Sequence, residues 1–250
     1  MWSTLTKLVF LTSTFTNALP TTLSRRAEVP AGTVIRKCSV PGVMALTFDD
    51  GPWRYTSDIL SQLKDAGANA TFFPNGQNYG CIYESESLLH QMLEDGHQIG
   101  SHTWSHERLS SLEPEEVQEE MARLDNAFAH TIGLKPRYMR PPYGSYDDES
   151  REVLTEMGYR LVIWDIDTGD SIGADVEDSK KNIIDAGTSG NGHIVLMHDP
   201  MRTTADELVS WVLEYAKEND LKLVTVADCL GDEAGPYEEA GEPTGEKTCD

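Results

Sequence analysis

Val43-Met44-Ala45-Leu46-Thr47-Phe48-Asp49-Asp50-Gly51-Pro52 decides how this chain folds. A short apolar run, stopped at its carboxyl end by two acids and a Gly-Pro breaker, reads as a strand buried on both faces, the kind that parallel sheets use. Such strands deliver functional side chains at their C-terminal ends, where α/β folds build their sites. Neighbouring residues at a strand end point in different directions. One of the two carboxylates is therefore available to a metal while the other faces a water beside it. The plainer reading is an Asp-Gly-Pro turn that follows the strand and caps the next helix.

Outward from this run, apolar β-rich segments are expected at 42–48, 70–73, 97–100, 137–140, 160–164, 193–197 and 221–225. Helical apolar spacing fills the intervals: Tyr55 to Asp65, Glu84 to Asp95, Pro114 to His130, Asp147 to Met157, Glu177 to Ala186 and Thr203 to Asn219. Alternating strands and helices imply a parallel sheet with right-handed crossovers. Seven such units predict an α/β fold, a distorted or incomplete (β/α) barrel of about seven parallel strands, in one catalytic domain spanning 38–230.

The 42 acidic residues outweigh 20 basic ones, for a formal net charge of −22. No basic face is available to neutralise phosphates, so a nucleic-acid partner is excluded. Residues 1–20 have an early Lys, a short apolar centre and small residues near Ala18, the pattern of a secretory signal peptide. That apolar centre is too short for a permanent membrane anchor. Residues 21–37 form a pro-segment or N-terminal tail, and Arg25-Arg26 is either a processing site or an inert dibasic pair.

Four cysteines without CxxC spacing predict two disulfides in an oxidising compartment rather than a thiolate metal site. Cys38 precedes the first strand and Cys229 follows the last, so a closing barrel brings them together. Elimination leaves Cys81 for Cys249. The single sequon is Asn69-Ala70-Thr71. Residues 231–250, with seven acids and one Lys, read as a loosely ordered acidic tail pinned by Cys249. A secreted monomer is expected, located outside the cell or in its wall.

Further chemistry sits at the other strand ends. In Ser101-His102-Thr103-Trp104-Ser105-His106 two imidazoles stand at i and i+4, and a helical turn there would put both on one face as metal ligands. Arg140-Pro141-Pro142-Tyr143-Gly144 follows a short strand. Arg140 suits a bidentate grip on a carboxylate, and the Tyr143 N–H can serve an oxyanion that the two prolines cannot. Asp165-Ile166-Asp167-Thr168-Gly169-Asp170 lacks the ligand spacing of a calcium loop, so Asp167 and Asp170 are read as partners of a catalytic group. His198, closing Ile194 to Met197, supplies a general acid near neutral pH. His90, His97, His130 and His193 are read as structural or surface residues. Trp53, Tyr55, Trp104, Tyr143 and Tyr146 are candidate exposed aromatics for stacking on sugars, with Pro142 beside them.

With these strings in order, TFDDGP, SHTWSH, RPPYG, DTGD and LMH, the chain resembles the polysaccharide deacetylase family, also called the NodB-homology or carbohydrate esterase 4 family, over roughly residues 40–230. Its phrasing is most similar to fungal chitin deacetylases. The resemblance implies a divalent cation, Zn2+ or Co2+, on Asp50, His102 and His106. It further implies Asp49 as base, His198 as acid, Arg140 orienting Asp49, the Tyr143 backbone at the oxyanion and Leu196 beside the acetyl methyl. Asp170 or Asp167 would tune the acid. Where the family often carries an aromatic after its second Asp, this chain has Ser171, which implies a more open pocket wall. The expected reaction is removal of N-acetyl groups from chitin or its oligomers. The alternatives are acetylxylan esterase or peptidoglycan deacetylase activity on the same scaffold, or a non-catalytic chitin-binding protein.

Overall fold

A computed structural model describes residues 28–188, 190 and 192–249. The expected signal peptide, the Arg25-Arg26 pair and most of the expected pro-segment lie outside the described residues. In chain order the strands and helices are β1 (Val34–Ile35), β2 (Val43–Asp49), α1 (Thr56–Ala66), β3 (Thr71–Phe73), α2 (Glu86–Glu94), β4 (Gln98–Ile99), α3 (Pro114–Thr131), β5 (Leu134–Pro136) and β6 (Tyr138–Met139). There follow α4 (Asp148–Glu156), β7 (Arg160–Val162), β8 (Ile166–Asp167), α5 (Val176–Ala186), β9 (His193–His198), α6 (Val209–Glu218), β10 (Lys222–Leu223), α7 (Val226–Leu230) and β11 (Tyr237–Glu239).

The strand β2 is the axis of the sheet, and every one of its residues is buried. Hydrogen bonding runs parallel in the order β4-β3-β2-β9-β8, with β10 also pairing to the start of β2. A second parallel group, β1-β7-β6, is bridged to the first through Ser101 and Met139. The ladder thus wraps as an open barrel, in accord with the expected α/β class. Most predicted segments match their strands and helices to within a few residues.

The register carries the functional consequence. Asp49 at the end of β2 pairs with His198 at the end of β9, and with Phe73 at the end of β3. The main core lies between this sheet and the inner faces of α1, α2, α3 and α6, with Phe48 stacked on Phe72 at 5.0 Å between ring centres. Helix starts follow local chemistry: α3 opens on a Glu113/Glu116 capping box with Pro114 at its first position, and α4 on the Asp147 side chain.

Two expectations are corrected by the fold. The segment after Gly100 is not helical, because Thr103 (φ 69°) and His106 (φ 62°) both adopt the left-handed region, which a right-handed helix cannot contain. The acidic tail is not loose. Its β11 pairs antiparallel with β5, the Asn126 side chain bonds both the N–H and the carbonyl of Thr244, and Cys249 is tied to Cys81 by a disulfide. The second bridge is Cys38–Cys229, so both pairings agree with expectation. No helix among the described residues is long and apolar enough to cross a membrane.

Candidate active site

Strand ends β2, β4, β6 and β9 open onto one mouth, and the site is assembled there. Asp49 is buried, and its Oδ1 accepts a 2.8 Å hydrogen bond from Nη1 of Arg140. Arg140 is itself without exposed surface. The same Nη1 donates to Thr47 Oγ1, while Nε and Nη2 donate to the carbonyls of Val162 and Ile163. The expected bidentate grip is therefore corrected to a single contact. Two of the guanidinium nitrogens are committed to the ends of β7, which leaves Asp49 Oδ2 unclaimed by Arg140. That oxygen lies 3.7 Å from Nε2 of His102.

Asp50, with φ 74°, turns away from the strand. Its Oδ1 lies 3.5 Å from Nε2 of His102 and 3.2 Å from Nε2 of His106, and the three donor atoms fall within 4.8 Å of one another. The protonation pattern tests whether a cation fits. His102 Nδ1 stands 2.7 Å from the Arg140 carbonyl, to which it can only donate, so a neutral ring presents a lone pair at Nε2. Burial lowers the His102 pKa and favours that neutral ring. A lone pair then faces the buried Asp50 Oδ1, which has no hydrogen-bond donor of its own. One carboxylate oxygen and two imidazole nitrogens converging in a largely buried pocket are the donor set of a divalent cation, and the residues fit one.

Across the mouth, Asp170 accepts from His198 twice, through Nδ1 at 2.7 Å and through the backbone N–H at 2.8 Å, and also from Thr204 Oγ1 at 2.6 Å. This leaves Nε2 as the free nitrogen of His198. Burial alone would push His198 down, but the hydrogen bond and charge of Asp170, with Asp49 and Asp50 nearby, outweigh it and lift the imidazole to about 9. Of the two acids expected as partners, only Asp170 reaches His198. Asp167 is exposed and spends its Oδ1 on the Gly169 N–H, because strand alternation at β8 turns it outward.

Leu196 lies two residues before His198 on β9 and so shares its face, at 4 % exposure. Pro142 is buried, and Tyr143 is 61 % exposed at φ 61°. The turn around it is held by Gly144 N–H to Pro141 and Ser145 N–H to Pro142, which does not use the Tyr143 N–H. The Tyr143 ring lies 4.8 Å from His106, with the Arg108 guanidinium 4.5 Å over it. Trp104, expected as an exposed aromatic, is corrected to a core residue. It is 3 % exposed, and Arg123 covers its ring at 4.4 Å. Ser171 and Ile172 are exposed, in keeping with an open wall after Asp170.

Sequence reasoning missed two buried polar residues here. Asp199 sits under Gly51, where a Cβ would overlap its carboxylate. Its Oδ2 accepts from Thr56, and burial first, then the charges of Asp50 and Asp49, push it up to about 7. Its place directly after His198 was a usable signal. Asn75 fills the space between the Asp50 and His102 segments, and nothing in its sequence surroundings marks it out beyond a turn-like Asn-Gly pair. His193, at the far end of β9, bonds Asp165 and stays outside the site.

Comparison with known proteins agrees with this geometry. Residues 36–162 match the family model described as polysaccharide deacetylase. A chitin deacetylase from Pestalotiopsis sp is 40% identical over 87% of this chain and 73% of its own. One from Arthroderma benhamiae is 40% identical over 82% of this chain, which spans 56% of that relative. The solved structure of the chitin deacetylase from the fungal pathogen Colletotrichum lindemuthianum superposes with a TM-score of 0.80 at 34% identity, covering 85% of this chain and 98% of that one.

Proposed function

The chain belongs to the polysaccharide deacetylase family, and from that membership and the arrangement around Asp49 we propose that it is an extracellular, metal-dependent hydrolase that removes N-acetyl groups from N-acetylglucosamine units of chitin or its oligomers. The observation that carries the reading is the pairing of Asp49 with His198 across two adjacent strand ends, with the Asp50-His102-His106 cluster beside them.

Asp50, His102 and His106 would hold a divalent cation, Zn2+ first among the candidates. When bound, it supplies positive charge for a carbonyl oxygen and acidifies a water. Asp49 is the base: its Oδ1 is anchored by Arg140, so its Oδ2 is free to take a proton from the attacking water. Arg140, fixed by two strand-end carbonyls, keeps that carboxylate aimed. The Tyr143 N–H donates toward the developing oxyanion, and Leu196 bounds the space for the acetyl methyl. His198 enters protonated, since Asp170 holds its charge, and gives its Nε2 proton to the leaving amine. The products are acetate and a glucosamine unit. Aromatic side chains at the rim, Tyr143 above all, stack on sugar rings.

The test is acetate release from N-acetylglucosamine oligomers and from acetylated xylan, measured side by side with Asp49→Asn as control. Release from the oligomers alone, lost in the variant while the cation still binds, is expected. Release from xylan alone would make the protein an esterase, and loss of the cation in the variant would make Asp49 a ligand rather than a base.

A further inference from the structure

Five non-glycine residues among those described have positive φ, and four of them are Asp50, Thr103, His106 and Tyr143 at the site. Asn and Asp tolerate that region, but a β-branched threonine there is a strained outlier, which persists only where its surroundings over-determine it. Asn75 is the side chain that ties down the backbone on either side of the His102–Thr103 peptide. Its Nδ2 donates to the carbonyls of His102 and Thr103, the latter at 3.2 Å. Two carbonyl acceptors fix Nδ2 as the nitrogen, and Oδ1 accepts from Asn78 at 3.2 Å.

The Asn75 backbone reaches the other ligand-bearing segment, donating to the Gly51 carbonyl at 3.2 Å. One residue, 2 % exposed, thus touches both the turn that carries Asp50 and the turn that carries His102 and His106. Its neighbours extend the seam: His102 N–H bonds Pro74 O, Gly76 N–H bonds Thr103 O, and Gln77 N–H bonds Trp104 O. The turn is closed by Thr103 Oγ1, which accepts from the His106 N–H at 3.2 Å.

We propose that Asn75 is a positioning residue for the metal ligands, holding Thr103 in its strained conformation so that His102 and His106 converge on Asp50 before a cation arrives. It touches neither substrate nor cation and acts through the two turns it joins. The inference rests on the metal reading given above.

Zn2+ affinity of the full chain, measured by competition with a chromophoric chelator, separates the outcomes. Asn75→Ala is expected to weaken Zn2+ binding by about 10–100-fold, the usual effect of removing a group that orients metal ligands. Turnover should recover when Zn2+ is raised to saturation, because Asp49, Arg140 and His198 are untouched. Adding Thr103→Asn, a residue that tolerates positive φ and keeps a side-chain oxygen for the His106 N–H, should make the double variant bind Zn2+ more tightly than Asn75→Ala alone. A merely structural role would lower the melting temperature without this rescue. Unchanged affinity in Asn75→Ala, or a double variant no tighter than the single, would overturn the proposal while leaving the metal site standing. No Zn2+ binding by the unaltered chain would overturn the metal reading itself. If Asn75→Ala does not fold, Asn75→Ser, which keeps a donor too short to span both carbonyls, carries the same comparison.

Discussion

Asp199→Asn should make the metal-free protein more stable in alkali and less so in acid, relative to the unaltered chain. Asp199 is 1 % exposed, and its pKa is pushed up from 3.8 to about 7, chiefly by burial. A carboxyl whose folded value is raised holds its proton more tightly in the folded state. Its contribution to stability is complete below pH ~4, declines as pH rises, and is gone above pH ~7. The full swing is about three pKa units, or about 4 kcal/mol at 1.36 kcal/mol each. Between pH 5 and 8 roughly two of those units are traversed, about 2.6 kcal/mol. At 2–4 °C per kcal/mol for a domain of this size, that is roughly 5–10 °C in melting temperature. Asparagine is isosteric, can still accept from Thr56 Oγ1, and does not titrate. Calorimetry of the two metal-stripped proteins at pH 5 and pH 8 should therefore show the difference in melting temperature moving by roughly 5–10 °C in favour of the variant at the higher pH. His198, at about 9 when folded against an ordinary 6.5, adds its own pH dependence to stability through this range, but it does so in both proteins. Parallel melting curves at the two pH values would refute the reasoning.

Three other outcomes follow from the same geometry. Asp170→Asn removes the negative charge that helps lift His198 to about 9, so the alkaline limb of the rate profile should move to lower pH, and a limb that stays in place would take the acid role away from His198. Arg140→Met strands a buried carboxylate and three other acceptors; loss of one member of a buried pair costs about 3–5 kcal/mol, and denaturant titration showing less than about 1 kcal/mol would refute it. The net charge of −22 should leave activity on neutral chitin oligomers insensitive to salt while binding of cationic chitosan weakens as salt rises, and flat salt curves for both polymers would contradict this.

The long elements were legible because their apolar periods are imposed by burial: β2, β9, α3 and α5 match the expected segments closely. What escaped was short or set by tertiary contact. β1, β8 and β11 have two or three residues each, too few to show a period, and they exist because a neighbouring strand offers a partner. The site residues were legible as residue types at strand ends, but not their geometry. A β-branched Thr103 gives no hint of positive φ, so a helix looked natural for His102 and His106. Asp167 and Asp170 look equivalent in sequence, and only the outward turn at β8 separates them. Trp104 looked like a surface aromatic because the helix that covers it, carrying Arg123, is distant in sequence.

The two disulfides interleave along the chain, in the order Cys38, Cys81, Cys229, Cys249, with the first joined to the third and the second to the fourth. Their spans overlap, so every peptide bond from Cys38 to Cys249 lies inside at least one of them. A protease that nicks the backbone once anywhere in that interval releases no fragment: the pieces stay covalently joined and can re-dock on the same sheet. Only a second cut, or a reductant, lets a piece diffuse away, and nicked protein should run at full mass on a gel until it is reduced.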